Sequence, residues 1–333
     1  MADFFDNVIE SFKQTLDFSL WLYFFAIYLL ESVVSGLVVL VFLALGLVAA
    51  LGSLNVIGIE GFIGLLSSPG QLLANPGFMA FVAICIVLFA LMILALLFVA
   101  SFFVGIRYCL MDSFLRTKKL GLGSAFERAR PRALTFFKSS IIVSLAIGIV
   151  LTIAFLPLIL SIPGIAGSGP ASAGLKVVAL FLFAFLILIV FAIAMFLLSP
   201  FLALIAPAVF FEDKGAVVSL KRAFALAKGN YLPNLGYLII YTIIVVGVSF
   251  VISMVAQFLG LLFMLPMAAL GASGSAAGAG IISAMMFYYA VSALLLIPYS
   301  VRASSFEAAS FRNLFVANLS LKKEAKGPKA RAK

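Results

Sequence analysis

Histidine is absent from this 333-residue chain, and cysteine occurs only twice. Without an imidazole the chain lacks the commonest general base, proton shuttle and metal ligand. Cys85 and Cys109 lie in or beside hydrophobic segments, and two thiols make neither a zinc site nor a disulfide framework. Packing is the role expected of both; acylation is the alternative for Cys109, which follows Arg107 near a membrane boundary. Also missing are a phosphate-binding glycine loop, a nucleophile elbow and a dinucleotide fingerprint. No carboxylate cluster has metal-ligand spacing. Serines and threonines are plentiful but have no base partner. The expectation is a non-enzymatic protein with no cofactor and no metal.

Charge is scarce as well. Only 10% of residues are charged and 65% are hydrophobic, with a mean hydropathy of +1.29. Soluble domains carry about 25% charge. Water cannot solvate so apolar a surface, so lipid must be the solvent for much of it. Residues 61–106, 139–175, 177–211 and 229–301 contain no Asp, Glu, Lys or Arg. The cations gather at Arg107–Lys138, Lys214–Lys228 and Arg302–Lys333, with only Lys13 and Lys176 elsewhere. A net charge of +10 could suggest nucleic acid. However, the cations flank apolar runs and no base-reading or base-stacking module accompanies them. Anionic lipid headgroups are the expected partner, together with a possible membrane protein, and nucleic acid is not. The acidic N-terminus, with Asp3, Asp6, Glu10 and Asp17 against Lys13, lacks the positive region of a secretory signal and reads as retained.

Crossing about 30 Å of hydrocarbon takes roughly 20 apolar residues in a helix. Six segments qualify: Leu20–Leu51, Phe78–Ile106, Ile141–Ile162, Val177–Ile205, Leu235–Leu265 and Ile281–Ser300. Their continuous apolar character disfavours a transmembrane barrel. The intervening connections alternate. Gly52–Gly77, Pro163–Gly174 and Pro266–Gly280 are small-residue loops whose sole charge is Glu60; the others are basic. The positive-inside bias makes the basic side cytoplasmic, with both termini inside and the chain in the cell membrane. The first segment exceeds one crossing, so it is either long and tilted or begins along the interface.

Short amphipathic helices are expected before the odd-numbered spans. Phe5, Val8, Phe12 and Leu16 form one apolar stripe; Val217, Leu220, Phe224 and Ala227 form another, with Lys221 and Lys228 opposite. Asp213 is the expected N-cap of the latter helix, with Gly229 just past its end and Pro233 where it stops. Ser124-Ala-Phe-Glu127 and Ser304-Ser-Phe-Glu307 read as capping boxes, with Pro131 interrupting after the first. Pro200, Pro207 and Pro298 are placed to kink or end even helices. The distance from Ser124 to Ser219 is about half that from Gly105-Ile-Arg107 to Ser300-Val-Arg302, which points to an internal repeat. The expected architecture is all-α and polytopic. Three two-helix repeats, over about 1–114, 115–213 and 214–315, together make a membrane domain 1–315. A basic, disordered cytoplasmic tail follows at 316–333.

The segment Phe210-Phe-Glu-Asp-Lys-Gly-Ala-Val-Val-Ser-Leu-Lys-Arg-Ala-Phe-Ala-Leu-Ala-Lys-Gly-Asn-Tyr231 resembles one found in poorly characterised six-helix prokaryotic membrane proteins. These are similar to the membrane domain attached to some glycerophosphodiester phosphodiesterases. Ser124–Leu134 resembles the corresponding earlier element. The resemblance covers about Phe12–Phe315 and implies a six-helix membrane domain; the phosphodiesterase domain itself needs histidine and cannot be present.

Two functional readings follow. In the first, Arg128, Arg130, Arg132, Lys221, Arg222 and Lys228 contact lipid phosphates or a partner on the cytoplasmic face. In the second, the protein is a transporter or channel with a central cavity and Glu31 as an intramembrane polar site. Glu31 could also be interfacial, solvated or paired with a basic helix. Gln257, within the fifth segment, reads as an interhelical hydrogen bond rather than a ligand.

Overall fold

The structure is a computed structural model that describes residues 2–57, 76–117, 121–166, 170–212, 214–271 and 277–325, and every regular element among them is an α-helix. In chain order these are α1 (Ala2–Gln14), α2 (Phe18–Ile57), α3 (Pro76–Thr117), α4 (Leu122–Ala166), α5 (Pro170–Ala203), α6 (Ile205–Glu212), α7 (Ala216–Gly229), α8 (Tyr231–Gly271) and α9 (Ala277–Ala325). Among the described residues, 5 stretches are long and apolar enough to cross a membrane: Phe18–Gly52, Pro76–Thr117, Leu122–Leu158, Val178–Glu212 and Tyr231–Leu259. The sixth apolar segment of the sequence, Ile281–Ser300, lies inside α9.

The helices overrun the apolar segments because the basic stretches beside them are helical too, and little breaks the run between. α4 passes straight through Pro131, so the interruption expected there does not occur. Neither Ser-x-x-Glu segment forms a capping box. Ser124 lies inside the first turn and donates its hydroxyl to the Gly121 carbonyl at 2.9 Å. Ser304 lies deep within α9 and donates to the Ser300 carbonyl at 2.8 Å. Pro298 likewise sits inside α9 without ending it. Pro207 does break a helix. Its nitrogen carries no hydrogen for the Ala203 carbonyl four residues back, where α5 ends, and α6 starts afresh at Ile205. Asp17 caps α2 by accepting from the Leu20 amide at 3.1 Å. α7 starts from Gly215, an extended residue with no side-chain cap, and ends on Asn230. Asp213 is outside the described residues, as are Glu60 and most of the first small-residue loop, whereas most of Pro163–Gly174 and of Pro266–Gly280 is helical.

Neighbouring helices run in a closed circuit: α2 beside α3, then α4, α5, α8, α9 and back to α2. Packing is concentrated at one end of it. The most apolar windows of the first four spanning stretches bury 0% of their residues, because lipid tails solvate leucine and phenylalanine as well as another helix does. At the basic end, water makes burial favourable and two clusters form. One joins Leu20 and Phe24 of α2, Ile106 and Leu110 of α3, Ala129 of α4, Phe210 of α6 and Ala309 of α9. The other joins Val8 of α1, Leu226 of α7, Tyr237 of α8 and Phe315 of α9.

The helices at the basic end pack with an unexpected register. Small residues face inward: Ser11 and Thr15 at α1, Ala125, Ala129 and Ala133 in α4, Ser219, Ala223 and Ala227 in α7. Bulky apolar residues face outward: Phe12 and Leu16, Phe126 and Leu134, Val217 and Phe224. Of the stripes read from sequence, Val8 and Ala227 are buried but Phe12, Leu16, Val217 and Phe224 are not. The side chain of Phe5 is outside the description. Small inward residues let helix backbones approach closely. Gly105 shows how closely, since a Cβ there would lie 2.6 Å from Cε1 of buried Phe210.

Candidate functional site

At a helical 100° per residue, the outward faces combine cations with these apolar side chains. Lys13 falls beside Ile9, Phe12 and Leu16; Arg130 beside Phe126 and Leu134; Lys221 and Lys228 beside Val217 and Phe224. Lys221 and Lys228 therefore share the apolar face of α7 rather than lying opposite it. Arg130, Lys221 and Lys228 are exposed, with no hydrogen bond or ion pair to described residues.

The other three candidate cations hold the fold. Arg128 reaches Asp112 at 3.3 Å, Arg132 donates to the Phe210 carbonyl at the end of α6, and Arg222 meets Glu212 at 2.8 Å. Asp112 is the hub. Its side chain is 1% exposed and also pairs with Arg116 of its own helix at 2.8 Å and Arg312 of α9 at 3.4 Å. One carboxylate so joins α3, α4 and α9. Sequence reading passed over it; the available signal was a lone acid amid a run of cations at a span end.

Glu31 pairs with Arg107 of α3 at 3.0 Å, both side chains being largely covered. Arg107 also donates to the Ser304 hydroxyl of α9 at 3.3 Å, which ties three helices together. Glu307 follows one turn beyond Ser304. It is exposed, although protein atoms surround it closely. It lines two cavities. The larger, about 290 Å³, lies between α3, α4, α5, α6 and α9. The smaller, about 50 Å³, is shared with Arg107 and Ser304. Burial pushes the Glu307 carboxyl above its ordinary range, and the Arg107 guanidinium opposes that shift. In sequence, Glu307 looked like a cap and its cavity was invisible.

A third space, an apolar groove of about 340 Å³, lies between α1, α8 and α9 and is lined by Phe12, Leu16, Val248, Pro298 and Arg302. Arg302 donates to the Thr15 carbonyl at 2.7 Å. Gln257 is exposed on α8 and makes no hydrogen bond among the described residues, so the interhelical bond expected of it is not formed within one protomer. Cys109 is fully buried, which suits packing and leaves no access for acylation. Among the described residues no group of three or more His, Cys, Asp or Glu could hold a metal ion.

Residues 10–306 match a family of unknown function, DUF7544. The chain belongs to that family. No curated protein and no solved structure matches it.

Proposed function

We propose that this chain is a non-enzymatic, multi-pass protein of the cell membrane that binds anionic lipid through a basic cytoplasmic face. The observation that carries this reading is the outward face of α7, where Val217 and Phe224 alternate with Lys221 and Lys228, which have no partner among the described residues. A helix facing water would bury its phenylalanine and valine. One lying at a bilayer surface presents them to acyl chains and its cations to phosphates. The same mixture on α1 and α4 supports three such contacts on one plane, and it also supports three repeats. The length of α9 supports a sixth crossing, and the basic blocks support cytoplasmic termini. Arg302 beside the apolar groove suits a lipid whose phosphate meets the guanidinium while one chain enters the groove. The likeness to the membrane domains of glycerophosphodiester phosphodiesterases belongs with this reading and rests on the Phe210–Tyr231 and Ser124–Leu134 segments.

The test uses protein purified in maltoside, titrated with phosphatidylglycerol or phosphatidylcholine and read by native mass spectrometry. Each cation near an anionic surface contributes about 1 kcal/mol at best, so the triple change Arg130→Glu, Lys221→Glu, Lys228→Glu should weaken phosphatidylglycerol binding at least about tenfold. It should also flatten the salt dependence. Binding that is unchanged and insensitive to salt overturns the proposal.

A second reading, transporter or channel, is favoured by one observation: the cavity between α3, α4, α5, α6 and α9. Glu31 is paired with Arg107, so the acid that serves this reading is Glu307 rather than Glu31.

A further inference from the structure

The 290 Å³ cavity has a charge balance that specifies its ligand. Glu307 lines it, Arg107 lines the smaller cavity beside it, and Glu31 is paired with Arg107. Glu31 and Arg107 cancel as a pair at 3.0 Å. Glu307 accepts no hydrogen bond and makes no ion pair among the described residues, and it faces the cavity. The ionised cluster therefore shows one uncompensated negative charge to a largely apolar space. In such a medium an unpaired carboxylate is costly and a cation beside it is correspondingly favoured.

The rest of the lining says which cation. Tyr108, Phe136 and Phe311 contribute aromatic rings, and Ser140 and Ser144 contribute hydroxyls. A hard divalent ion asks for six or more oxygen ligands, which one carboxylate and a few hydroxyls do not supply. Ring faces attract cations through their quadrupoles and tolerate carbon substituents, the pattern that recognises substituted ammonium groups. The volume is at the small end of ligand cavities. We infer that this cavity is a binding site for a small organic ammonium cation, with Glu307 as counter-ion and Tyr108, Phe136 and Phe311 as the ring wall.

This site is separate from the basic face, and neither reading depends on the other. Arg107 has a definite part in it: it neutralises Glu31 and so leaves Glu307 free. That gives the three charged residues different signatures. Glu307→Gln removes the counter-ion. Glu31→Gln releases Arg107 to pair with Glu307, so it also abolishes binding, although Glu31 does not line the cavity. Arg107→Gln withdraws the guanidinium that favours the ionised Glu307 carboxyl, so cation binding should move to higher pH.

The experiment measures thermal unfolding of the full chain in maltoside, a detergent without ammonium groups, during titration with tetramethylammonium chloride. Sodium chloride at equal ionic strength is the control. A saturable rise in Tm with tetramethylammonium alone is expected, as for any ligand bound only by the folded state. Glu307→Gln and Glu31→Gln should each shift its midpoint at least about tenfold upward, the equivalent of about 1.4 kcal/mol. Should Glu307→Gln fail to fold, Phe136→Leu keeps the carboxylate and removes one ring face, and a severalfold weaker response is expected. No saturable response, an equal response to sodium, or an undiminished response in Glu307→Gln or Phe136→Leu overturns the assignment. An undiminished response in Glu31→Gln overturns the charge balance on which it rests.

Discussion

Asp112 and Gly105 sit two turns apart on α3 and hold the packed end together by opposite means. Asp112 is a buried charge that depends on Arg116, Arg128 and Arg312. Removing one partner of a buried ionic group leaves the other uncompensated, which costs more than the pair itself is worth. Asp112→Asn should therefore lower stability by about 3 kcal/mol, most of it through Arg312, whose side chain is only 17% exposed. Arg116→Gln, at an arginine 62% exposed, should cost less than about 1 kcal/mol. Thermal unfolding in detergent compares the two, and equal losses would contradict the hub. Gly105 works by absence. Phe210 lies where its Cβ would be and is itself fully buried, so the ring has no free space to enter. Gly105→Ala should cost about 1–3 kcal/mol by overpacking. A variant as stable as the parent would show that Phe210 can move. In the sequence Gly105 was legible only as part of a recurring Gly-x-Arg and Ser-x-Arg ending; its packing partner on α6 was not.

Among the elements, the long helices were legible because twenty apolar residues have few other uses. Five of the six sequence segments each fall within one described helix, and the fourth, Val177–Ile205, runs over the break between α5 and α6. The capping boxes misled because a local pattern cannot announce that a helix continues through it. Ser304 and Glu307 are on one face of α9 where Arg107 and a cavity meet them, and those neighbours are remote in sequence. The amphipathic helices were found, but their register depended on which solvent faces them. With water outside, Val217 and Phe224 would turn inward; here Ser219, Ala223 and Ala227 do. Phe224 also stacks on Phe201 of α5, at 4.8 Å between ring centroids. If α7 lies on the bilayer, Phe224→Ala should reduce lipid retention most at high salt, where the lysine contribution is screened. Loss confined to low salt would mean that α7 contacts headgroups without inserting its ring.

For the whole molecule, the orientation has a direct measurement. Gly52 at the far end of α2 is exposed with nothing near its Cβ position, and Lys228 is exposed on α7. An impermeant maleimide should label Gly52→Cys in intact cells and Lys228→Cys only after permeabilisation; the reverse pattern would invert the topology. The asymmetry between a packed basic end and unburied spans also bears on how the protein is made. Arg302 reaches back to Thr15 across 287 positions, and Asn313 to Ser11 across 302. Ribosomal synthesis delivers these partners at opposite ends of its course. The early spans can enter the bilayer one pair at a time, since their windows ask nothing of one another. The core at the basic end must wait for α9, so a chain stopped before residue 302 would be inserted yet unlocked. Quality control would then face a protein whose spans are already in the bilayer and whose defect lies wholly at the basic end.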